Sequence, residues 1–239
     1  MSEQDNYIPT GKWTFDNQVT KVFEDMISRS IPGYATMRDC VVRIATPILT
    51  SAPVSNLLDI GCSRGETIYQ ILNSLPAHIP VNAVGVDSSE PMIEAAIDLF
   101  GNFDNVSFVC ADVVDIEIRP FEYSLITSVL TAQFIPLDVR QDFYQKVHNG
   151  LSLNGAFIIV EKILGETPFC QDLLVDIYHT YKADNGYTPE QIEEKRKALQ
   201  GVLVPLRGSE NERMLKDAGF RHIQRFWQCL NFAGWVAFK

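Results

Sequence analysis

The chain has 239 residues, 46% of them hydrophobic, with a formal charge of −10 and a pI of about 4.8. That length suits one large domain, or one domain with an appended lid, and buries enough apolar surface to fold without staples. An acidic surface repels phosphate backbones and disfavours tight nucleic-acid binding, and no apolar run reaches the roughly 18 residues that span a bilayer.

The five cysteines, Cys40, Cys62, Cys110, Cys170 and Cys229, are scattered. None has the spacing of a metal-ligand or CxxC pair, so no metal site is expected, and a reducing cytoplasm is the simplest compartment. The polar, acidic start Met1-Ser2-Glu3-Gln4-Asp5 does not read as a signal peptide.

Residues 1–12 carry no periodic pattern and are expected to fray. Phe15, Val19, Val22, Phe23, Met26 and Ile27 follow a helical stripe over 15–30. Ile31-Pro32-Gly33-Tyr34 breaks it, and a second helix is predicted over Ala35–Leu49. From Asn56 strands and helices alternate: strands Asn56–Ile60, Val81–Val86, Val106–Cys110, Tyr123–Ser128 and Ala156–Glu161, with helices Thr67–Leu75, Pro91–Phe100 and Leu137–Gly150 between them. After Glu161 the pattern changes to helices Phe169–Ala183, Pro189–Leu199 and Glu210–Ala218, then to strands Ile223–Asn231 and Trp235–Phe238.

Alternation of this kind predicts an α/β fold. It is a Rossmann-like, doubly wound, mostly parallel seven-stranded sheet, closed by a C-terminal antiparallel hairpin. One domain over 1–239 is expected, with 1–50 and 165–205 as helical cover over a site at the carboxyl ends of the strands. Lys195-Arg196-Lys197, preceded by Glu193 and Glu194, reads as a solvated, charge-paired helix face.

Three features at strand ends carry the chemistry. The first strand runs into Asp59-Ile60-Gly61-Cys62-Ser63-Arg64-Gly65, a G-x-x-x-G turn feeding a helix. Glycines there let the backbone approach a ligand, and the helix N-terminus suits an anionic group. The spacing is not the G-x-G-x-x-G of a dinucleotide fold. Asp87, ending the second strand, can accept both hydroxyls of a ribose, with Ser88 beside it and Met92 in the next helical turn. Asp112, ending the third strand, and Val113 can hold the edge and face of an adenine. In this order the three features point to S-adenosylmethionine (SAM), with S-adenosylhomocysteine as the product of methyl transfer.

These residues make the chain resemble class I SAM-dependent methyltransferases. Segments outside the cofactor core narrow the resemblance to the bacterial carboxy-S-adenosylmethionine synthase family, which serves wobble-uridine modification in tRNA. They are Trp13-Thr14-Phe15-Asp16, Ile27–Tyr34, Gln133-Phe134, Glu161-Lys162, Asn185-Gly186-Tyr187, Lys195-Arg196, Ala218-Gly219-Phe220 and Gln228-Cys229-x-Asn231-Phe232. The resemblance implies cofactor contacts from Tyr34, Gly61, Cys62, Ser63, Asp87, Ser88, Asp112 and Val113, a packing role for Cys62, and a homodimer.

Two positions depart. Val129 stands where the family has an asparagine at the end of the fourth strand. Met214, four residues before Ala218-Gly219-Phe220, stands where the family has the arginine that pairs with the added carboxylate of carboxy-SAM. A methionine cannot pair with a carboxylate. The sequence therefore favours SAM-dependent methyl transfer to a small-molecule acceptor. The alternatives are carboxy-SAM synthesis from SAM and prephenate, with Arg213, Arg207 or Arg29 as the clamp, and a non-catalytic SAM-binding module. Methyl transfer needs alignment more than a covalent nucleophile. Candidate bases or positioners on the cover are His179, Tyr178, Tyr181 and Tyr187, with His179 the first choice because a neutral imidazole works near pH 7.

Overall fold

The structure, a computed structural model, describes residues 4–101 and 103–239. Helix α1 (Asn17–Ser30) is capped by Asp16, whose carboxylate accepts the backbone N–H groups of Gln18 and Val19. Gly33, in the left-handed region at φ +69°, starts α2 (Tyr34–Ser51). The alternating stretch then gives β1 (Ser55–Ile60), α3 (Glu66–Ser74), β2 (Val81–Asp87), α4 (Glu90–Phe100), β3 (Val106–Cys110) and β4 (Tyr123–Val129). A 3-10 turn at Ala132–Phe134 leads to α5 (Leu137–Gly150) and β5 (Leu151–Leu164). Last come α6 (Pro168–Asp184), α7 (Pro189–Leu199), β6 (Leu206–Arg207), α8 (Gly208–Asp217), β7 (His222–Cys229) and β8 (Phe232–Phe238).

The strands pair in the order β3-β2-β1-β4-β5-β8-β7. The run β3 to β5 is parallel, and β8 is antiparallel to both β5 and β7. This is the expected doubly wound sheet with its terminal hairpin. The two-residue β6, which lies beside the end of β5, was not legible in the sequence.

Side chains of each strand alternate between two cores. Leu57, Leu125 and Ile158 pack against α2, α3 and α4, while Leu58, Ile126 and Phe157 pack against α5 and α8. Chain order reverses between β1 and β4, so a crevice opens at their carboxyl ends.

The N-terminal segment corrects the expectation of fraying over 1–12. Residues 1–3 lie outside the described residues, but Asp5 is fully buried and Trp13 nearly so. Trp13 donates its backbone N–H to Ala198 O at 3.0 Å and packs edge-on against Tyr7 and Phe15. Asp5 forms an ion pair with Lys195 and accepts the Tyr187 hydroxyl at 2.6 Å. A partner on α7, remote in sequence, is what orders the segment.

Candidate functional site

At the carboxyl ends of β1, β2 and β4, closed over by α1, α6 and α7, lies a cavity of about 860 Å³, within the usual range for small-molecule sites.

The turn after β1 forms one wall. Gly61 and Cys62 donate their N–H groups to Val86 O at 2.7 and 3.0 Å, which ties the turn to β2. Gly61 adopts φ +70°, and a Cβ there would collide with the Thr131 side chain. The glycine is therefore needed to admit Thr131. Ser63, at φ +48°, donates its N–H to Asp87 Oδ2 at 2.9 Å, and Ser89 donates to Asp87 Oδ1 at 2.9 Å. Burial still pushes the Asp87 carboxyl up from its ordinary value. Capping of α4 falls to Ser89, whose Oγ accepts from Met92 N, so Asp87 keeps lone pairs free for a ligand.

Gly61, Cys62, Ser63, Asp87, Ser88, Asp112, Val113, Val129 and Tyr34 all line the cavity. Cys62 is buried, and burial holds its thiol far above the range where a thiolate forms. That fits packing and not nucleophilic chemistry. Asp112 accepts Val114 N at 2.9 Å, which fixes the loop that carries Val113. The half-buried Tyr34 accepts from Arg38 at 3.2 Å, and burial pushes its hydroxyl up to about 12.

Three expected contacts do not reach the wall. Asp59 is buried behind it, with Oδ1 accepting the Thr127 hydroxyl at 2.6 Å, and burial pushes its carboxyl up to about 7. Gly65, at φ +80°, faces away; a Cβ there would meet the Phe100 ring at 2.9 Å. Met92 packs into a separate cluster with Trp13, Val19 and Phe23. Each lies within four residues of a lining residue, but the strand alternation or helix rotation turns it inward.

Glu161 also stops short of the cavity. It is fully buried and accepts the N–H groups of Ala132 and Gln133 at 3.0 and 2.7 Å, and burial pushes its carboxyl up to about 8. It pairs with neither Lys162 nor an arginine, and it anchors the turn that presents Thr131 and Gln133 to the cavity.

The end of β5 and the cover helices α6 and α7 supply charge of the opposite sign. Lys162, Lys182, Lys195 and Arg196 line the cavity, with His179 and the buried Tyr178. Their ammonium groups alternate with aromatic rings. Lys162 Nζ is 4.5 Å and Lys182 Nζ 5.1 Å from the Tyr178 ring centre, and Lys182 and Lys195 lie 5.6 and 4.7 Å from that of Tyr187. Burial is the main cause that lowers Lys162 to about 8 and Lys182 to about 7. Burial, then the charges of Lys182, Lys162 and Arg196, lowers His179, which favours a neutral imidazole. Burial drives the Tyr178 hydroxyl far up, which favours the protonated phenol.

Two sequence expectations are corrected here. Lys195 is not on a solvated face: it is 3% exposed and points inward to Asp5, while Lys197 does pair on the surface with Glu194. Met214 is not at the site; it packs against the core on the α5 side, and its carbonyl accepts from Gln141. An arginine at 214 would not face the cavity, and Arg29, Arg207 and Arg213 do not line it. Among the described residues Arg196 is the arginine that does. It pairs at 2.8 Å with Glu193 on the same helix, both half-exposed. Lys162 and Lys195 stand in segments that carry the family resemblance, but a sequence motif does not say that they meet Lys182 in one cavity; that depends on how α6 and α7 pack over the end of β5.

Sheet order, switch-point cavity and acid-lined glycine turn together define a class I SAM-dependent methyltransferase fold. A methyltransferase domain model matches residues 57–155. The phosphoethanolamine N-methyltransferase 2 of Haemonchus contortus, solved with S-adenosyl-L-methionine, shares the fold at a TM-score of 0.65 and 14% identity, over 97% of this chain and 61% of that one. Two curated relatives are carboxy-S-adenosyl-L-methionine synthases. That of Haemophilus ducreyi is 37% identical over 232 residues, 96% of this chain and 93% of the relative. That of Actinobacillus pleuropneumoniae serotype 5b is 35% identical over the same length, 96% and 94%. The chain belongs to this family, and SAM is its cofactor.

Proposed function

We propose that this chain, acting as one unit over residues 1–239, converts SAM into its carboxylated form. The observation that carries this reading is the division of charge within one cavity. Asp87, Asp112 and Glu66 occupy the glycine-turn side, and Lys162, Lys182, Lys195 and Arg196 the cover side. A plain methyl group needs no cation beside it, whereas a carboxylate taken out of water does. The objection from Met214 falls away, because that position is outside the cavity.

On this reading Asp87 and Ser88 hold the ribose, and Asp112 with Val113 the adenine. Gly61, Cys62 and Ser63 pass beneath the amino-acid part, and Tyr34 closes over it. Val129 contributes only an apolar wall. Arg196, whose pair with Glu193 is solvent-screened and cheap to exchange, turns to the new carboxylate. The family resemblance supplies the donor, prephenate. The C–C bond between its ring and the ring carboxyl breaks, and the carboxyl carbon forms a new C–C bond to the sulfonium methyl carbon, whose C–H bond breaks in turn. The donor loses hydroxide and becomes phenylpyruvate, and the released proton and hydroxide leave as water.

A second reading is methyl transfer to a small anionic acceptor. It is favoured by His179, a cavity imidazole held neutral and able to take a proton. Mass spectrometry of the small molecules in a reaction of purified protein, SAM and prephenate separates these readings. The first requires an ion heavier than SAM by one carbon dioxide, together with phenylpyruvate. Bound S-adenosylhomocysteine and no such ion would favour the second. SAM bound and never consumed would leave a binding module.

A further inference from the structure

We infer that Lys162 and Lys182 form the docking site for the second substrate, a small dicarboxylate, with the Tyr178 and Phe232 rings as its apolar walls. The inference deepens the proposed carboxyl transfer and rests on it for the choice of prephenate as probe.

Of the four cavity cations two are already neutralised, Lys195 by buried Asp5 and Arg196 by Glu193. Lys162 and Lys182 are not. Among the described residues neither ammonium has a carboxylate within ion-pair distance, and neither donates a hydrogen bond. Lys182 is 7% exposed and lines the cavity.

A buried ammonium without a counter-charge is costly. The two also lie close enough for their charges to oppose each other. Ring faces offset part of that cost, because cation–π contact returns some of the lost hydration energy. The Tyr178 ring is shared by both lysines, and Phe232 stands 5.7 Å from it and 5.9 Å from Lys162 Nζ. Two unpaired positive charges with two apolar walls match a ligand with two negative charges and an apolar ring. On the proposed reading neither lysine is needed for SAM itself, whose sugar and base are assigned to the acidic side of the cavity.

The test is calorimetric titration of prephenate into protein saturated with S-adenosylhomocysteine, for wild type, Lys162→Met and Lys182→Met. Each variant should lose roughly tenfold or more in prephenate affinity, the scale of one charge-assisted hydrogen bond. S-adenosylhomocysteine affinity should stay within about threefold. Lys197→Met, on the surface of α7, should change neither.

Methionine removes an unpaired buried charge, so melting temperatures should hold or rise, and a folded variant is expected. Wild type that binds no prephenate, or a methionine variant that binds it like wild type, overturns the inference. Prephenate bound through both lysines without any carboxylated product sinks the proposed reaction and keeps the anion site. Product formed by wild type, with prephenate binding unchanged in both variants, sinks the anion site alone.

Discussion

Lys195 donates to Asp5 across 190 residues of chain, and both side chains are buried. The Tyr187 hydroxyl donates to the same carboxylate, and Arg29 donates to the Asp5 carbonyl at 2.7 Å. One carboxylate thus fastens the N-terminal segment to α7, the helix that brings Arg196 to the cavity.

Asp5→Ala leaves Lys195 buried without its partner. Loss of one member of a buried pair costs about 3–5 kcal/mol, and urea unfolding should read a loss of that size. Asp5→Ala with Lys195→Met should recover much of it. Equal destabilisation by the single and double variants would mean that the ion pair is not what fastens the segment.

Gly61→Ala forces a side chain into left-handed backbone and into Thr131. Overpacking of this kind costs roughly 1–3 kcal/mol, and SAM affinity measured by calorimetry should fall with stability. Thr131→Gly in the same chain clears the collision and should restore part of both. The cost of the positive φ, about 1 kcal/mol, remains.

Arg196→Met and Met214→Arg test which position serves the carboxylate. The first should reduce the carboxylated product retained after purification by roughly tenfold or more, the worth of one bidentate charge pair. The second should leave it unchanged, since position 214 packs against the core away from the cavity. Retention read by mass spectrometry decides; a gain of product binding in Met214→Arg would reverse the assignment.

The two unpaired lysines give affinity and stability opposite dependences on pH. A bound anion favours ammonium, so prephenate affinity should be full below about 7 and fall as pH rises through about 7 to 8. Facing Lys182 are Lys162 and Lys195, whose charges oppose its own, and Asp5, which favours it; the neutral His179, Tyr178 and Tyr187 also face the pair, and Arg196 lines the same cavity. In the empty protein the folded values lie below the unfolded 10.5, so the unfolded chain binds more protons between them. Their cost is therefore full below about 7 and disappears as pH rises towards 10.5. Melting curves of wild type minus Lys182→Met, taken over that range, isolate the effect. A pH-independent difference would show that Lys182 is not buried as a charge.

The sequence discloses what local pattern determines. Strand and helix periods yield the sheet, and the acids at successive strand ends mark one side of the cavity. Residues whose direction depends on rotation about their own element are less legible. Gly65 and Met92 follow lining residues closely in sequence yet face α4 and α1. The cation side was legible least of all. Lys195 sits in a charged helix segment that resembles any solvated face, and only Asp5, from the far end of the chain, turns it inward. Met214 was misplaced for a related reason: a sequence match fixes a residue's neighbours in sequence and says nothing of which side of α8 meets the cavity.

The cation-lined side of the cavity is set inside a chain of net charge −10. A doubly negative substrate must approach through a repelling field before it meets the lysines, which act only at short range. Added salt shortens the reach of that field to about 8 Å at physiological strength. Capture of the anion should then quicken as salt is added, the reverse of enzymes that draw their substrates in by charge. The inner lysines would govern how long the anion stays and the outer acids how often it arrives, so the two rates can be tuned by different parts of the molecule.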